Sequence, residues 1–285
     1  MKLGVIVDCL KKNAEEGIKI AGELGLSGIQ FYAAKGDYSP WQITPQRKES
    51  LKALADLNGI TISAICGDMG GYGFETAKHN PLRIAKTKEI IDLAADLGVK
   101  TVTAHIGVIP ADENNPRYGV MLKAITECGL YAAALNVTYA VETGPESAKV
   151  LKTFIDRTDG GVGVNLDPAN FVMVTGQDPV EAVYILKDYI VHTHLKDGKM
   201  LKPSDPEVIY DCFAKGGIEA LNVADYFIET PVGQGDVDFP AYFAALNKIG
   251  YDGFLTIERE TGGNPALDIQ TAADYVRKVC KYLTR

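Results

Sequence analysis

Short runs of β-branched residues alternate with longer stretches of helical periodicity along almost the whole chain. This alternation is typical of βα units around a parallel sheet, and it predicts eight strands, each followed by a helix. The predicted strands are Lys2 to Val7, Gly28 to Tyr32, Ile60 to Cys66, Thr101 to His105, Thr138 to Glu142, Val162 to Asp167, Tyr189 to Leu195 and Gly253 to Glu258. The predicted helices run from about Asn13 to Gly25, Thr44 to Asn58, Pro81 to Leu97, Gly119 to Leu135, from near Glu146, from Pro179, from Phe239 to Ile249 and from about Ala266 to Leu283.

The chain length of 285 residues accommodates these eight units in one α/β domain. A single (β/α)8 TIM barrel over residues 1–285 fits both the count and the length. A doubly wound sheet is the alternative, but it needs two halves, and no GxGxxG or P-loop motif follows the first strand. After the seventh strand, residues 199–238 form an unusually long insertion, with a helix predicted near Pro206 to Lys215.

Composition argues against several classes of protein. The net charge of −8 gives no general attraction to nucleic acid or to anionic membranes. The five cysteines are scattered and form no CxxC pair, which disfavours a disulfide framework or a thiolate zinc site. There is neither a signal-peptide h-region nor an apolar run of the roughly 20 residues that a membrane span needs. We therefore expect a cytoplasmic protein with no nucleic-acid or membrane partner.

Polar residues occur at the carboxyl ends of several predicted strands. In the strand Thr138 to Glu142, side-chain alternation places Glu142 on the face opposite Tyr139 and Val141. If the apolar faces pack on the helices, the polar residues point into the barrel and gather at its top rim, where enzymes with this fold keep their active sites. The residues placed there are His105, Glu142, Asp167, His194 and Glu258.

Three carboxylates and an imidazole that meet at one rim repel and lose hydration unless a cation lies among them. Such a set suits one divalent ion, and we expect Mn²⁺, with Mg²⁺, Co²⁺ and Zn²⁺ as alternatives. The predicted ligands are Glu142, Asp167, His194 and Glu258. Taken alone, each has a structural alternative: Asp167 before Pro168 could be a turn residue, for example. Their shared position at the ends of four strands favours the metal site.

Two neighbours of His194 belong to the same predicted strand. Alternation places His192, His194 and Lys196 on one face. His192 lies one layer deeper than His194, so a buried supporting role is expected for it. Lys196 lies on the substrate side of His194, with an ordinary surface lysine as the alternative.

The chain resembles, over essentially its whole length, the xylose isomerase-like barrels. This superfamily includes sugar isomerases, ketose 3-epimerases, inosose-processing enzymes and nucleases of the endonuclease IV type. The resemblance implies one catalytic divalent metal, held by Glu142, Asp167, His194 and Glu258. The segments that carry the resemblance are Ala140-Val141-Glu142-Thr143-Gly144-Pro145, Asn165-Leu166-Asp167-Pro168-Ala169-Asn170, His192-Thr193-His194-Leu195-Lys196-Asp197, Pro231-Val232-Gly233-Gln234-Gly235-Asp236-Val237-Asp238-Phe239 and Thr256-Ile257-Glu258.

Two positions depart from the ketose 3-epimerase pattern. Those enzymes usually carry a histidine three residues after the strand-6 aspartate and an arginine six residues after the strand-7 histidine. Here the two positions are Asn170 and Met200. Asn170 can still bind a sugar hydroxyl, whereas Met200 cannot replace an arginine. The nuclease branch is disfavoured, because the chain has only four histidines and lacks the expected Asp-x-His pair near residues 236–238.

The activity that we expect is that of a divalent-metal-dependent isomerase or epimerase acting on a keto-sugar or related polyol. The metal would chelate a carbonyl and an adjacent hydroxyl oxygen, acidify the C–H bond between them and stabilise the enediolate. Glu142 and Glu258 are the predicted catalytic residues, which remove and return the proton. The predicted substrate contacts are His105, Lys196, Asn170 and Trp41.

Other functions stay open at this stage. The same metal and base would serve a lyase that expels a β-hydroxyl or a glycosidic leaving group from a keto-sugar, a keto-glycoside or an inosose. A non-catalytic sugar-binding subunit would be expected to have lost at least one of the four ligands. The insertion at 199–238 is too apolar for a free loop, which predicts either a lid or a subunit contact in a homo-oligomer.

Overall fold

The computed structural model describes residues 1–216 and 222–284. Eight parallel strands close into one barrel, which confirms the predicted fold. They are β1 (Lys2–Ile6), β2 (Gly28–Tyr32), β3 (Thr61–Cys66), β4 (Thr101–Ala104), β5 (Thr138–Glu142), β6 (Val162–Leu166), β7 (Ile190–Leu195) and β10 (Phe254–Ile257). Two further strands, β8 (Asp197–Met200) and β9 (Phe227–Thr230), pair as an antiparallel hairpin outside the barrel.

The helices begin where the sequence supplies capping residues. Asn13, Thr44 and Ser147 each accept a backbone N–H of the helix that follows, which satisfies donors that have no partner within the helix. No helix in the described part of the chain is both long and apolar enough to cross a membrane. The helices are α1 (Ala14–Glu23), α2 (Pro45–Leu57), α3 (Asn80–Asp96), α4 (Pro116–Ala134), α5 (Ala148–Asp156), α6 (Pro168–Asn170), α7 (Pro179–Ile185), α8 (Pro206–Ala214), α9 (Phe239–Lys248) and α10 (Pro265–Val279).

The strands present apolar side chains to the helices and polar side chains to the barrel axis. Inside the barrel, Gln30 Nε2 donates to Thr103 Oγ1 at 3.1 Å. The His192 ring lies between Asn165 Oδ1 (2.9 Å) and Thr256 Oγ1 (3.0 Å). These bonds satisfy buried polar groups that would otherwise destabilise the fold. The interior below the rim is therefore a hydrogen-bonded polar layer, in which His192 lies beneath His194, as predicted from alternation.

Besides three short 3₁₀ helices, two parts of the described chain were not predicted as regular structure. The first is α6 together with the π-helical turn Phe171–Thr175, which directly follows Asp167. The second is the β8–β9 hairpin, whose strands have only four residues each and lack a clear apolar alternation. The helix predicted near Pro206 is present as α8, and residues 217–221 of the insertion lie outside the described residues.

Two contacts hold α8 over the mouth of the barrel. The Tyr72 hydroxyl, on the loop after β3, donates to Asp211 at 2.7 Å. Arg117, in the first turn of α4, binds Glu207 at 2.7 Å. The insertion therefore lies against the loops that follow β3 and β4.

Candidate active site

The ends of four strands bring together Glu142, Asp167, His194 and Glu258. Each offers one potential ligand atom, and these atoms all lie within 4.8 Å of one another. The Nδ1 atom of His194 is 2.8 Å from Glu258 Oε2, 3.4 Å from Glu142 Oε1 and 3.5 Å from Asp167 Oδ2. All four side chains are buried. The sequence-predicted ligand set therefore forms a single cluster at the rim.

The geometry of the cluster fits a cation better than internal hydrogen bonding. His194 Nδ1, Asp167 Oδ2 and Glu258 Oε2 are buried and have no hydrogen-bond partner within the described chain, although the first and third are only 2.8 Å apart. Three polar atoms that point at one place without bonding one another are unfavourable in a bare protein. A divalent ion would satisfy all three together, since carboxylate oxygens and an imidazole nitrogen are its common ligands.

Asp167 divides its two carboxylate oxygens between two tasks. Oδ1 accepts the backbone N–H groups of Ala169 (2.8 Å) and Asn170 (3.1 Å) and so caps α6. Oδ2 faces His194 and the cluster. Because the cap fixes the carboxylate, the free oxygen is held in place for a ligand.

The amide oxygen of Gln30 orients the His194 ring, and the amide of Asn165 lies beside it. His194 Nε2 is 3.2 Å from Gln30 Oε1 and 3.1 Å from Asn165 Nδ2. When Nε2 carries the proton and donates to Gln30, the lone pair of Nδ1 faces the carboxylates, as metal ligation requires. In this tautomer both His194 Nε2 and Asn165 Nδ2 are donors, so Asn165 Nδ2 donates to Glu142 Oε2 at 3.3 Å instead.

The carboxylates and His194 control one another's ionisation. Burial lowers the pKa of His194, but the charges of Glu142 and Glu258 outweigh burial and raise that pKa well above its usual value. Burial raises the pKa of Glu142, yet His105 and His194 bring it below the usual value. In the absence of an ion, a proton on His194 would thus take the place of the cation.

Lys196 bridges the cluster and the cavity. Its Nζ lies 3.3 Å from Glu258 Oε1 and 2.7 Å from Glu260 Oε2, and the side chain is buried. Burial lowers the pKa of Lys196, but Glu258 and Glu260 together raise it well above its usual value. Lys196 is therefore a fixed positive charge beside Glu258, rather than a surface lysine.

His105 lies on the other side of the cluster. Its Nε2 is 3.6 Å from Glu142 Oε1, and about a third of the side chain is exposed to the cavity. Burial lowers the pKa of His105, whereas Glu142 and Asp68 raise it, and the net direction is upward. His192 differs, because burial lowers its pKa to about 3 and keeps the ring neutral.

A cavity of about 980 Å³ opens above the cluster. Its floor includes Glu142 and Glu258, and its walls come from loops after the strands and from the insertion. The lining is polar and acidic near the cluster and aromatic under the insertion, where Tyr210, Phe213 and Phe227 lie. This volume is in the range of small-molecule sites.

Of the predicted substrate contacts Asn170 and Trp41, only Asn170 lines the cavity of the described chain. Asn170 lines the cavity, and its Nδ2 donates to the Thr143 carbonyl at 3.0 Å. Trp41 is not among the cavity-lining residues of the described chain; it is 39% exposed, and Lys86 Nζ lies 4.8 Å above its ring. Trp41 is therefore not part of the cavity wall in the described chain.

Several further residues at the site were not predicted from the sequence. Gln30 and Asn165 stand out only as single amides inside otherwise apolar strands, and this signal was available from alternation. Glu260 lies two residues after Glu258 and lines the cavity. Tyr210 reaches the cavity from α8, and nothing in the local sequence distinguishes it from the other aromatic residues of the insertion.

Comparisons with known proteins identify the family of the chain. Residues 18–279 match the family described as the xylose isomerase-like TIM barrel, so the chain belongs to that family. It is 25% identical over 236 residues to the rhizopine catabolism protein MocC of Rhizobium meliloti, covering 78% of this chain and 70% of that protein. A shorter match is to an inosose dehydratase of Clostridium perfringens, 26% identical over 48% of this chain and 43% of that protein.

Solved structures show the same architecture. A xylose isomerase domain protein from Planctomyces limnophilus superimposes with a TM-score of 0.78 at 26% identity, covering 98% of this chain and 96% of that one. The IolI protein, solved with a bound zinc atom, superimposes with a TM-score of 0.75 at 18% identity over the full length of both chains. At that identity the second comparison shows the fold alone.

Proposed function

We propose that the protein is a divalent-metal-dependent isomerase or epimerase of a keto-sugar or related polyol. One observation carries the proposal: Glu142, Asp167, His194 and Glu258 converge beneath a polar cavity, with unpartnered atoms pointing at one place. Membership of the xylose isomerase-like family supports it, because that superfamily includes sugar isomerases and ketose 3-epimerases. We propose Mn²⁺ as the ion on the basis of the carboxylate-rich ligand set.

The ion would be held by Glu142, Asp167, His194 and Glu258. When bound, it supplies the positive charge that acidifies a C–H bond next to a carbonyl and stabilises the charge developing on oxygen. Glu142 and Glu258 are the proposed proton-transfer residues, because both line the cavity and both have one oxygen directed away from His194. The proposed substrate-binding residues are His105, which lies beside Glu142, and Lys196, which lies beside Glu258.

A metal-dependent lyase is the second candidate. It uses the same proton abstraction, followed by loss of a group from the next carbon. The inosose dehydratase match supports it, as does Asn170 at the position where ketose 3-epimerases usually carry histidine. The two candidates differ in what the substrate carries one carbon further along, and product analysis separates them.

The experiment uses protein stripped of metal and then titrated with Mn²⁺. The stripped and loaded forms are incubated in D₂O with D-fructose, D-tagatose, D-psicose and scyllo-inosose, and deuterium incorporation is followed by NMR. We expect exchange at the carbon next to the carbonyl in the loaded form only. An epimeric ketose would identify the epimerase, an aldose would identify the isomerase, and loss of water would identify the lyase. Absence of exchange with every substrate would refute proton transfer at this site.

A further inference from the structure

Among the described residues of the insertion that line the cavity, Tyr210 supplies a neutral hydroxyl, whereas the other polar side chains are carboxylates. This residue lies on α8 and lines the cavity together with Asn170 and His105. Its ring packs on the small apolar cluster formed by Ala169, Met173 and Val174. These residues directly follow Asp167, so the insertion is seated on the segment that positions a metal-ligand candidate.

Because Gly144 has no side chain, the Tyr210 hydroxyl can approach the loop after β5 closely. A methyl group on Gly144 would overlap the Tyr210 hydroxyl oxygen and would lie 3.4 Å from His105 Cε1. The rings of His105 and Tyr210 meet edge to face, with centroids 5.8 Å apart. The Tyr210 hydroxyl is therefore held above the loop after β5, beside the residue that faces Glu142.

The Tyr210 hydroxyl is available to a ligand. The described chain offers it no hydrogen-bond partner, and the residue is only partly buried, so the hydroxyl borders the cavity. Burial and the nearby charges of Glu146 and Glu142 raise the pKa of Tyr210 well above its usual value. The phenol is thus a neutral donor at physiological pH, which suits a sugar hydroxyl or carbonyl oxygen.

Polar contacts on both sides of Tyr210 fix α8. Asp211 accepts from Tyr72 at 2.7 Å, and Glu207 binds Arg117, which also contacts Glu75 at 3.3 Å. A donor carried by an anchored helix loses less entropy on binding than one carried by a free loop. The apolar cluster and these contacts together make Tyr210 a preorganised part of the wall.

We propose that Tyr210 is a substrate-contacting, specificity-determining residue, whose hydroxyl donates a hydrogen bond to an oxygen of the bound sugar or polyol on the His105 side of the cavity. This inference rests on the proposed function, since it assigns a further contact to the same substrate. It gives the insertion a direct part in recognition.

The first test compares Tyr210→Phe with Tyr226→Phe. Tyr226 is also in the insertion, but its ring lies under Lys202 and does not line the cavity. With whichever of D-fructose, D-tagatose, D-psicose and scyllo-inosose the wild type exchanges fastest, Tyr210→Phe should lower kcat/KM about tenfold, the effect of one lost hydrogen bond. Mn²⁺ affinity by calorimetry and the melting temperature should be unchanged, and Tyr226→Phe should match the wild type.

The second test is a double-mutant cycle between Gly144 and Tyr210. Gly144→Ala should lower kcat/KM at least as much as Tyr210→Phe, because the methyl group displaces the hydroxyl. In a Tyr210→Ala background the same Gly144→Ala change should have little further effect, since the overlap is gone. This non-additivity ties the two effects to one contact.

Three outcomes would overturn the inference while leaving the proposed function intact. They are wild-type kcat/KM in Tyr210→Phe, an equal loss in Tyr226→Phe, and additive effects of Gly144→Ala and Tyr210→Ala. If the wild type exchanges none of the four substrates, the proposed function fails and the inference fails with it.

Discussion

Asp167 shows how one side chain serves both the fold and the proposed metal site. Asp167→Asn keeps an oxygen for the α6 cap but replaces the charged oxygen that faces His194. We expect this variant to fold normally and to lose more than about 100-fold in Mn²⁺ affinity, since it removes a direct ligand. Asp167→Ala should show the same loss of binding and, because the cap is also lost, a further destabilisation of roughly 0.5 to 2 kcal/mol.

Calorimetric titration with Mn²⁺ and urea unfolding of the stripped forms check the Asp167 prediction. The wild type should gain thermal stability on Mn²⁺ addition by ligand linkage, and neither variant should. A normal Mn²⁺ affinity in Asp167→Asn would contradict the assigned ligand set.

Glu146 predicts a pH dependence of stability. The side chain is buried, its Oε2 has no partner in the described chain, and burial raises its pKa to about 8, although His105 opposes this. As pH rises from about 4.5 to 8, the unfolded chain releases this proton before the folded protein does, so stability falls across that window. Below about pH 4.5 the residue contributes no such loss.

Glu146→Gln removes the titrating group while keeping its shape. We expect the variant to match the wild type near pH 4.5 and to be more stable at pH 9, by an upper limit of roughly 5 kcal/mol. Urea midpoints measured across the range provide the check. Glu89→Gln, at an exposed position, is the control and should leave the pH profile unchanged. If the stability of Glu146→Gln instead changed with pH in parallel with that of the wild type, Glu146 would already be ionised at neutral pH.

The sequence was sufficient to predict residues whose environment follows from strand alternation. Glu142 and His194 are at strand ends, so their direction is set by a period of two. Trp41 lies in an irregular loop, where no period fixes the direction of a side chain, and the prediction for it is not supported by its position. Contacts that join distant loops, such as Tyr210 with Gly144, depend on tertiary packing and were not predictable.

At the scale of elements, Asp197 joins the hairpin to the loop before α9. Its Oδ2 accepts from the backbone N–H groups of Gly233 (2.9 Å) and Gly235 (2.8 Å). Its Oδ1 accepts from Gly198 (2.9 Å) and Val237 (3.3 Å). Gly235 has no room for a side chain, because a Cβ atom there would overlap the Asp197 carboxylate. The glycine-rich loop therefore folds around one buried carboxylate.

Asp197→Ala would leave these four N–H groups without their acceptor. We expect a destabilisation of roughly 3 kcal/mol or more, because hydrogen bonds to a buried charge are among the stronger ones. Asp197→Asn should lose less, since one oxygen remains. Urea unfolding measures both, and Asp236→Ala, at an exposed neighbouring position, should change stability by less than about 0.5 kcal/mol. Equal stability of Asp197→Ala and Asp236→Ala would contradict this role.

The elements differ in how far the sequence specified them. The barrel strands were predicted to within about one residue at every end, because each is a short apolar run bounded by turn residues. The β8–β9 hairpin was missed, since its pairing joins Asp197 to Thr230 across the whole insertion. Such a contact is specified by Asp197 and the loop after β9, rather than by local propensity.

At the scale of the whole molecule, the negative net charge is concentrated at the cavity. Of the residues that the structure describes, nine carboxylates line it, against one arginine and one lysine, Arg117 and Lys196. Arg117 is paired with Glu75 and Glu207, and Lys196 with Glu258 and Glu260. Residues 217–221 contain no lysine or arginine. Among the described lining residues, both the lysine and the arginine are therefore already paired with two carboxylates each.

This charge distribution predicts a preference for unphosphorylated substrates. A phosphate carries about −1.5 to −2 charges at pH 7 and would meet like charge in the cavity. With D-fructose and D-fructose 6-phosphate as a matched pair, kcat/KM for deuterium exchange should be at least about tenfold lower for the phosphate. The difference in kcat/KM between the two substrates should become smaller between 0.1 and 1 M salt. The reason is that the Debye length falls from about 10 to 3 Å, which screens the repulsion between phosphate and carboxylates. Asp68→Asn, which removes a lining carboxylate with no ion-pair partner in the described chain, should also make this difference smaller. Faster exchange of the phosphate would show instead that the ion or the backbone binds it despite the carboxylates.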